Sequence, residues 1–478
     1  MASETPRTTP GLSSVVKTYD VRGLVGEQLT EPIVEALGAA FVDVVGAAGG
    51  RIVVGHDMRE SSPGFAAAFA AGATARGADV VSIGLCSTDE TYFASGALDA
   101  PAAMFTASHN PASYNGIKFS RAGAQGISLD TGLAAIRDGA AAYLESGIPT
   151  VEAPGAVEGK DVLLGYAEHL RSLVDLSGIR PIRIVVDAGN GMGGLTVPAV
   201  LGEAAGLPAL PIEIIPMYFE LDGSFPNHEA NPLEPANLLD LQRRVVAEQA
   251  DLGLAFDGDA DRCFVIDERG EPVTPSAVAA IVALREIERV RSAGETGEVV
   301  VIHNLITSRI VPETIEAARA TPVRTRVGHS LIKDQMALTG AVFGGEHSAH
   351  YYFRDFWGAD NGMLAAMHVL AEFGSQELPL SRLAARFMPY SVSGEINSTV
   401  ADLDAARARV RAVFDPIGDL DELDGLMYSS RAADGGPFWW CSVRASNTEP
   451  LLRVNVEGAD QATMERIRDL ALGAVRAT

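Results

Sequence analysis

Lysine is scarce in this chain: four of its 37 Lys and Arg residues are lysines, at positions 17, 118, 160 and 333. Three of them sit beside polar clusters, Lys17 before "TYDVRG", Lys118 after "TASHNP" and Lys333 in "VGHSLIK". In a chain that otherwise writes its cations as arginine, those places are marked as ones where a compact ammonium matters. Cysteine is scarcer still. Cys86, Cys263 and Cys441 lie far apart, and so sparse and odd a set argues against a disulfide framework. Positive charge is in deficit, since 37 Lys and Arg face 62 Asp and Glu for a formal net charge of −25. A surface that acidic argues against nucleic acid or an anionic membrane as partner, and an anionic ligand would need a local basic patch. Long apolar runs are missing too: "FAAAFAAGA" and "SAVAAIVAL" fall short of the roughly 18 residues of a membrane span. The N-terminal "MASETPRTTPGLS" has no signal-peptide core. The expectation is a soluble, cytoplasmic protein.

What is present is patterned. A chain of 478 residues exceeds one core and predicts three or four domains at about 100–200 residues each. Short β-branched runs alternate with Ala-rich segments of helical period, the rhythm of βαβ units with largely parallel strands. The runs group in threes. "RIVVGHDMR", "ADVVSIGLCST" and "AAMFTASHNP" form one set, and "IRIVVDAGNG", "LPIEIIPM" and "LGLAFDGDADR" a second. "GEVVVIHNL", "TPVRTRVGHS" and "AVFGGEHSAH" form a third. "GIKFSRAG", "CFVIDERG" and "YYFRD" read as a further strand in each. The first three-quarters of the chain thus reads as three versions of one α/β unit, each carrying a polar cluster beyond its strand ends, where such sheets bind ligands. From about Leu380 the rhythm stops, and "YSVSGEINSTV", "FWWCSVRAS" and "PLLRVNVEG" read as strands of a smaller α+β unit. The fold class is α/β, with three related mixed-sheet domains, 1–152, 153–271 and 272–379, and an α+β domain, 380–478.

The polar clusters carry the chemistry. "DGDADR" places Asp257, Asp259 and Asp261 at alternate positions after an apolar strand, and three such carboxylates repel unless a cation compensates. Hard oxygen ligands suit Mg²⁺. An EF-hand is rejected because Arg262 stands where its glycine belongs. A solvated acidic turn is the alternative. In "TASHNP", Ser108 and His109 are adjacent, which places His109 poorly as the base of a protease-like dyad. A serine carrying a phosphoryl group that completes the magnesium shell fits better; a plain Ser-Asn-Pro turn is the bland reading. His329 in "VGHSLIK" offers a proton relay or a structural imidazole. "GEHSAH" offers Glu346, Ser348 and His350 to sugar hydroxyls, or else a helix-capping turn. "RASNTEP" gathers Arg444, Ser446, Asn447 and Thr448 as a phosphate cradle or an exposed hairpin turn. "TYDVRG" and "GHDMR" offer Tyr19, Arg22, Asp57 and Arg59, with a structural salt bridge the preferred reading of the second.

"TASHNP", "DGDADR", "VGHSLIK", "GEHSAH" and "RASNTEP", in that order along a match from about Val16 to Val456, closely resemble the α-D-phosphohexomutases, and within them the phosphomannomutase/phosphoglucomutase branch. "FPNHEANPLEPANL" is similar to the same branch. The resemblance implies four domains around a central cleft, with a smaller and mobile last one. It implies a reversible isomerase: phosphorylated Ser108 donates its phosphoryl group to a sugar phosphate, giving a hexose 1,6-bisphosphate that returns its other phosphate to the serine. Carried over by position, Ser108, Asp257, Asp259 and Asp261 hold one Mg²⁺. Arg262 contacts the reacting phosphate, Lys118, Arg22 and His329 serve acid/base and charge-stabilising roles, and His109 and Tyr19 support them. Glu346, Ser348 and His350 meet the sugar; Arg444, Ser446, Asn447 and Thr448 hold the distal phosphate. The expected activity is phosphomannomutase, with phosphoglucomutase or dual specificity as the alternative and a phosphoserine-dependent phosphatase as a remote one. The expected partner is a small sugar phosphate, and the expected assembly a monomer or weak dimer. Three positions depart from the pattern: Ile306 stands where relatives often have Lys, Ala260 where they have Gly, and His56 where they have Arg.

Overall fold

The computed structural model describes residues 11–431, 435–445 and 451–477, with the side chains of His329 and Ser330 outside the described part. Three sheets share one strand order. In the first, Asp79–Leu85, Arg51–His56, Ala102–Phe105 and Tyr114–Arg121 lie side by side. The second sets out Ile212–Met217, Ile182–Asp187, Leu252–Phe256 and Cys263–Asp267, and the third Thr321–Thr325, Val300–Asn304, Phe343–Gly345 and Tyr351–Phe353. Numbered in chain order, each reads 2-1-3-4, with strands 1 to 3 parallel and strand 4 antiparallel to strand 3. The sheets are therefore mixed. The parallel rhythm ends at strand 4 because only the short links 106–113, 257–262 and 346–350, too short for a crossover, separate it from strand 3.

The order 2-1-3 has a physical consequence. The chain leaves strand 1 toward one side and returns on the other, so a crevice opens between the carboxyl ends of strands 1 and 3. Ser108 follows strand 3 of the first sheet, Asp257 follows strand 3 of the second, and Glu346 follows strand 3 of the third.

Sequence sets the element ends locally. Helix Glu31–Val45 starts on a proline in its first turn and stops at Gly46, whose φ of 69° supplies the left-handed cap. Helix Thr88–Leu98 opens on a capping box between Ser87 and Glu90. The fourth sheet is antiparallel, with Trp439–Ala445 and Leu451–Gly458 at its centre and helices Leu403–Phe414 and Gln461–Arg476 packed on it. The segment "YSVSGEINSTV" forms two short strands, Ser391–Val392 and Ile396–Thr399, both paired with Leu451–Gly458. Gly394 at φ 67° breaks the run between them.

The apolar cores are unequal. The second and third sheets share one continuous core, in which Met363 to Phe373 of helix Gly362–Gly374 meet Ile266 and Val186 as well as Phe343 and Phe353. The first sheet and the fourth each have their own. Among the described residues, no helix is long and apolar enough to cross a membrane.

Candidate active site

Ser108 lies just past strand Ala102–Phe105 with φ at 49°, in the left-handed region that side chains other than glycine seldom adopt. Buried Arg59 holds it there. Its guanidinium donates to the carbonyls of Ser108 (2.9 Å), Asn110 (2.7 Å), Pro111 (2.9 Å) and Tyr114 (3.0 Å). Asp57 pairs with Arg59 at 3.2 Å and accepts from the Ser62 hydroxyl at 2.6 Å. The Phe225 ring, from the second unit, covers the guanidinium with its centroid at 5.1 Å. The salt bridge expected of "GHDMR" is present, and it also clamps the serine loop.

The metal-ligand candidates occupy the turn between strands Leu252–Phe256 and Cys263–Asp267. Asp257, Asp259 and Asp261 are all buried, each with an oxygen within 4.8 Å of the others. The Ser108 hydroxyl donates to Asp257 Oδ2 at 2.9 Å. Arg262 donates to the same oxygen at 2.7 Å, and its Nη2 stands 3.3 Å from Ser108 Oγ and 2.5 Å from His109 Nδ1. Lys118 donates to Asp259 at 2.7 Å and to Asp261 at 2.6 Å, and Thr88 adds a 2.5 Å bond to Asp259. One oxygen of Asp259 and one of Asp261 are buried without a hydrogen bond among the described residues, the latter 3.8 Å from Arg262 Nε. Buried carboxylate oxygens left without hydrogen bonds, all hard and converging beside a hydroxyl, fit a small divalent cation. The turn itself is tight. Ala260 has φ at 62°, in the left-handed region that favours glycine, so the methyl group here sits in a strained conformation.

Electrostatics set the protonation states. Burial pushes the Asp257 carboxyl up, against the pull of Arg262. Burial would do the same to Asp259, but the Lys118 ammonium holds it well below the usual carboxylate range. Lys118 is desolvated yet stays firmly protonated, because Asp259 and Asp261 flank it. Burial, with Arg262 and Arg22 nearby, drives His109 well below the ordinary imidazole range, so the ring is neutral.

A cavity of about 1020 Å³ opens over this floor, lined by Tyr19, Arg22, Ser108, His109, Lys118, Asp261, Arg262 and His350 among others. Arg22 donates to Asn110 and, at 2.5 Å, to Asp20. Other candidates stand off this cavity. Glu346 is buried and spends its oxygens on Tyr352 (2.8 Å), Asn304 (3.2 Å) and the Gly328 N–H (3.4 Å), while Ser348 is half-buried. The motif of both is the turn between strands Phe343–Gly345 and Tyr351–Phe353, not a helix cap. Arg444 is held by Glu395 at 3.4 Å and Asp424 at 3.6 Å. Ser446, Asn447 and Thr448 lie outside the described residues, as does the side chain of His329, whose backbone opens helix His329–Thr339. Ile306 joins Leu305, Met427 and Trp440 in an apolar cluster between the third and fourth units, which is where the departure from lysine is absorbed.

Sequence reasoning did not single out Asp360, Tyr92 or Thr88, and nothing local in "GADNG" or "STDETY" marks them. Lys333 carried a signal, the lysine scarcity, and it lines the cavity.

Comparison with known proteins accords with this geometry. Models of the phosphoglucomutase/phosphomannomutase family match in order: α/β/α domain I at residues 13–145, domain II at 165–270, domain III at 274–390 and the C-terminal domain at 395–473. A protein of Xanthomonas campestris pv. campestris named "Phosphohexose mutases" is 41% identical over 457 residues, covering 95% of this chain and 96% of its own. An Escherichia coli phosphomannomutase is 36% identical over 465 residues, covering 95% and 97%. The crystal structure of a phosphoglucomutase/phosphomannomutase family protein from Burkholderia thailandensis superposes with a TM-score of 0.82 at 30% identity, covering 97% of this chain and 98% of that one.

Proposed function

The chain belongs to the phosphoglucomutase/phosphomannomutase family, and from that premise we propose that it is a cytoplasmic phosphomannomutase interconverting mannose 6-phosphate and mannose 1-phosphate. The observation that carries the reading is the Ser108 hydroxyl, 2.9 Å from Asp257 and 3.3 Å from Arg262, at the floor of a cavity lined by Lys118 and Arg22. Phosphoryl transfer asks for placement and charge neutralisation more than for covalent chemistry. Ser108 carries the phosphoryl group and passes it to a hydroxyl of the bound sugar phosphate. The resulting hexose 1,6-bisphosphate turns round and returns its other phosphate to the serine.

Asp257, Asp259, Asp261 and the phosphorylated Ser108 would hold one Mg²⁺, which when bound supplies positive charge against the transferring group. Arg262, Arg22 and Lys118 neutralise the phosphate oxygens, and the neutral His109 packs beside Arg262 without adding charge. Tyr19, His350, Glu346 and Ser348 are assigned to the sugar, and His329 to proton transfer. Arg444, Ser446, Asn447 and Thr448 are assigned to the phosphate that is not reacting. Domain boundaries near residues 152, 271 and 379 follow from the same assignment. The name of the Escherichia coli relative, phosphomannomutase, supports mannose.

The test is a side-by-side assay with mannose 1-phosphate and glucose 1-phosphate, each with and without Mg²⁺ and a trace of hexose 1,6-bisphosphate. The expected result is isomerisation that needs both additions, with a higher kcat/KM for the mannose compound. Release of inorganic phosphate, indifferent to the bisphosphate, would identify a phosphatase instead.

A further inference from the structure

The geometry points to Asp360 and Lys333 as positioning residues that fix the ring of His350 at the cavity wall, an assignment that rests on the mutase reading above. His350, Lys333, Asp360 and Tyr92 all line the cavity that Ser108 and His109 also line. Asp360 sits on the two-residue strand Ala359–Asp360, at the edge of the third sheet, and is nearly fully buried. One of its oxygens lies 3.0 Å from His350 Nδ1, and the other 2.8 Å from the Lys333 ammonium. A carboxylate only accepts, so His350 must donate through Nδ1–H. The chemistry of the ring then falls to Nε2.

Two further contacts secure the carboxylate. The Lys333 ammonium stands 4.2 Å from the centroid of the Tyr92 ring, which belongs to helix Thr88–Leu98 of the first domain. That face shields the cation from water and still leaves it attracted to the ring. Burial by itself would raise the Asp360 carboxyl, but Lys333 and His350 keep it well below its ordinary value. Helix Thr88–Leu98 also packs against strand Ala359–Asp360, so the chain Tyr92, Lys333, Asp360, His350 runs from one domain into another. At its end, His350, Asp360 and Asp261 present side-chain atoms within 4.8 Å of one another. Asp261 in turn holds Lys118 at 2.6 Å. The orientation of His350 is thereby tied to the metal loop and to the first domain at once.

Two measurements test this. In the ¹⁵N-histidine-labelled full-length wild type, with His350 assigned by the signal lost in His350→Gln, Nδ1 should carry a hydrogen bonded to an acceptor. An Nδ1 found bare, with the proton on Nε2 alone, would overturn the assignment, whatever reaction the chain catalyses. In the mutase assay, Asp360→Asn should lower kcat roughly 10- to 100-fold, the range typical when the partner orienting a histidine is removed, with KM for the sugar phosphate within about twofold. Lys333→Met should lower kcat less, and Lys333→Arg should recover most of it. If Asp360→Asn does not fold, Lys333→Met and the wild-type spectrum decide. Equal kcat in Lys333→Met and wild type would remove the lysine from the chain, and a fall confined to KM would recast the group as a substrate contact.

Discussion

Gly258 lies against Ser108 so closely that a Cβ at position 258 would stand 2.4 Å from the Ser108 carbonyl oxygen. The Asp257–Asp261 turn and the serine loop, from two different sheets, therefore meet backbone to backbone, and no side chain fits between them. Gly258→Ala must separate the loops. A displacement of about 1 Å in reacting groups can cost about 100-fold in rate, and that fall in kcat is the expected outcome. The thermal midpoint should move little, because both loops stay anchored by their own sheets. Full activity in the variant would mean that the contact has slack.

Ala260 offers the opposite experiment. Its φ of 62° strains an alanine and suits a glycine. Ala260→Gly should stabilise the protein by about 1 kcal/mol, read as a higher thermal midpoint with kcat preserved. A lower midpoint would show that the methyl group's packing outweighs the backbone strain.

Glu90 gives a pH dependence with a definite sign. Burial pushes its carboxyl up from 4.5 to about 8. The native state therefore keeps a proton that the unfolded chain gives up above its ordinary carboxylate range. The contribution to stability is full below about pH 4.5, and it declines as pH rises and is lost above about pH 8. Glu90→Gln, which keeps the capping box, should match the wild type near pH 4. At pH 9 it should be more stable, by up to about 5 kcal/mol for a carboxyl raised from 4.5 to about 8. Parallel midpoint-against-pH curves for the two proteins would count against the raised value.

Arg444 tests the distal phosphate assignment. Its guanidinium is largely buried between Glu395 and Asp424. Arg444→Ala should weaken sugar-phosphate binding by about 1.5–3 kcal/mol, the range of a charge-assisted hydrogen bond, read as a raised KM. An unchanged KM would take the fourth domain's strand end out of the binding site.

Much of the fold is legible in the chain because each repeated unit signals itself locally, with a β-branched run, a polar break and a glycine. The three strand sets and the existence of a fourth strand in each need nothing beyond that pattern, whereas the antiparallel direction of the fourth appears only in the pairing. The Asp257 to Asp261 turn announces itself the same way, since alternating carboxylates after a buried strand have few other uses. Arg59 shows where such reading stops. Its salt bridge to Asp57 spans two residues and is visible in "GHDMR", but its bonds to Asn110 and Tyr114 span 51 and 55 residues. Asp360 has no local signal at all, because its partners Lys333 and His350 reach it only once strand and helix have packed. Ile306 was legible as a departure from the family pattern, but its apolar neighbours Met427 and Trp440 come from another domain.

Domains II and III are built around a single apolar interior, which Tyr92 and Ala124 of the first domain also join, while the first and last domains keep main cores of their own and the last touches the third through Ile306, Met427 and Trp440. Relative displacement of whole domains therefore costs least at the two junctions flanking this central block, where the shared apolar contacts are fewest. Asp257 and Glu346, one on each half of the block, act as a fixed ruler.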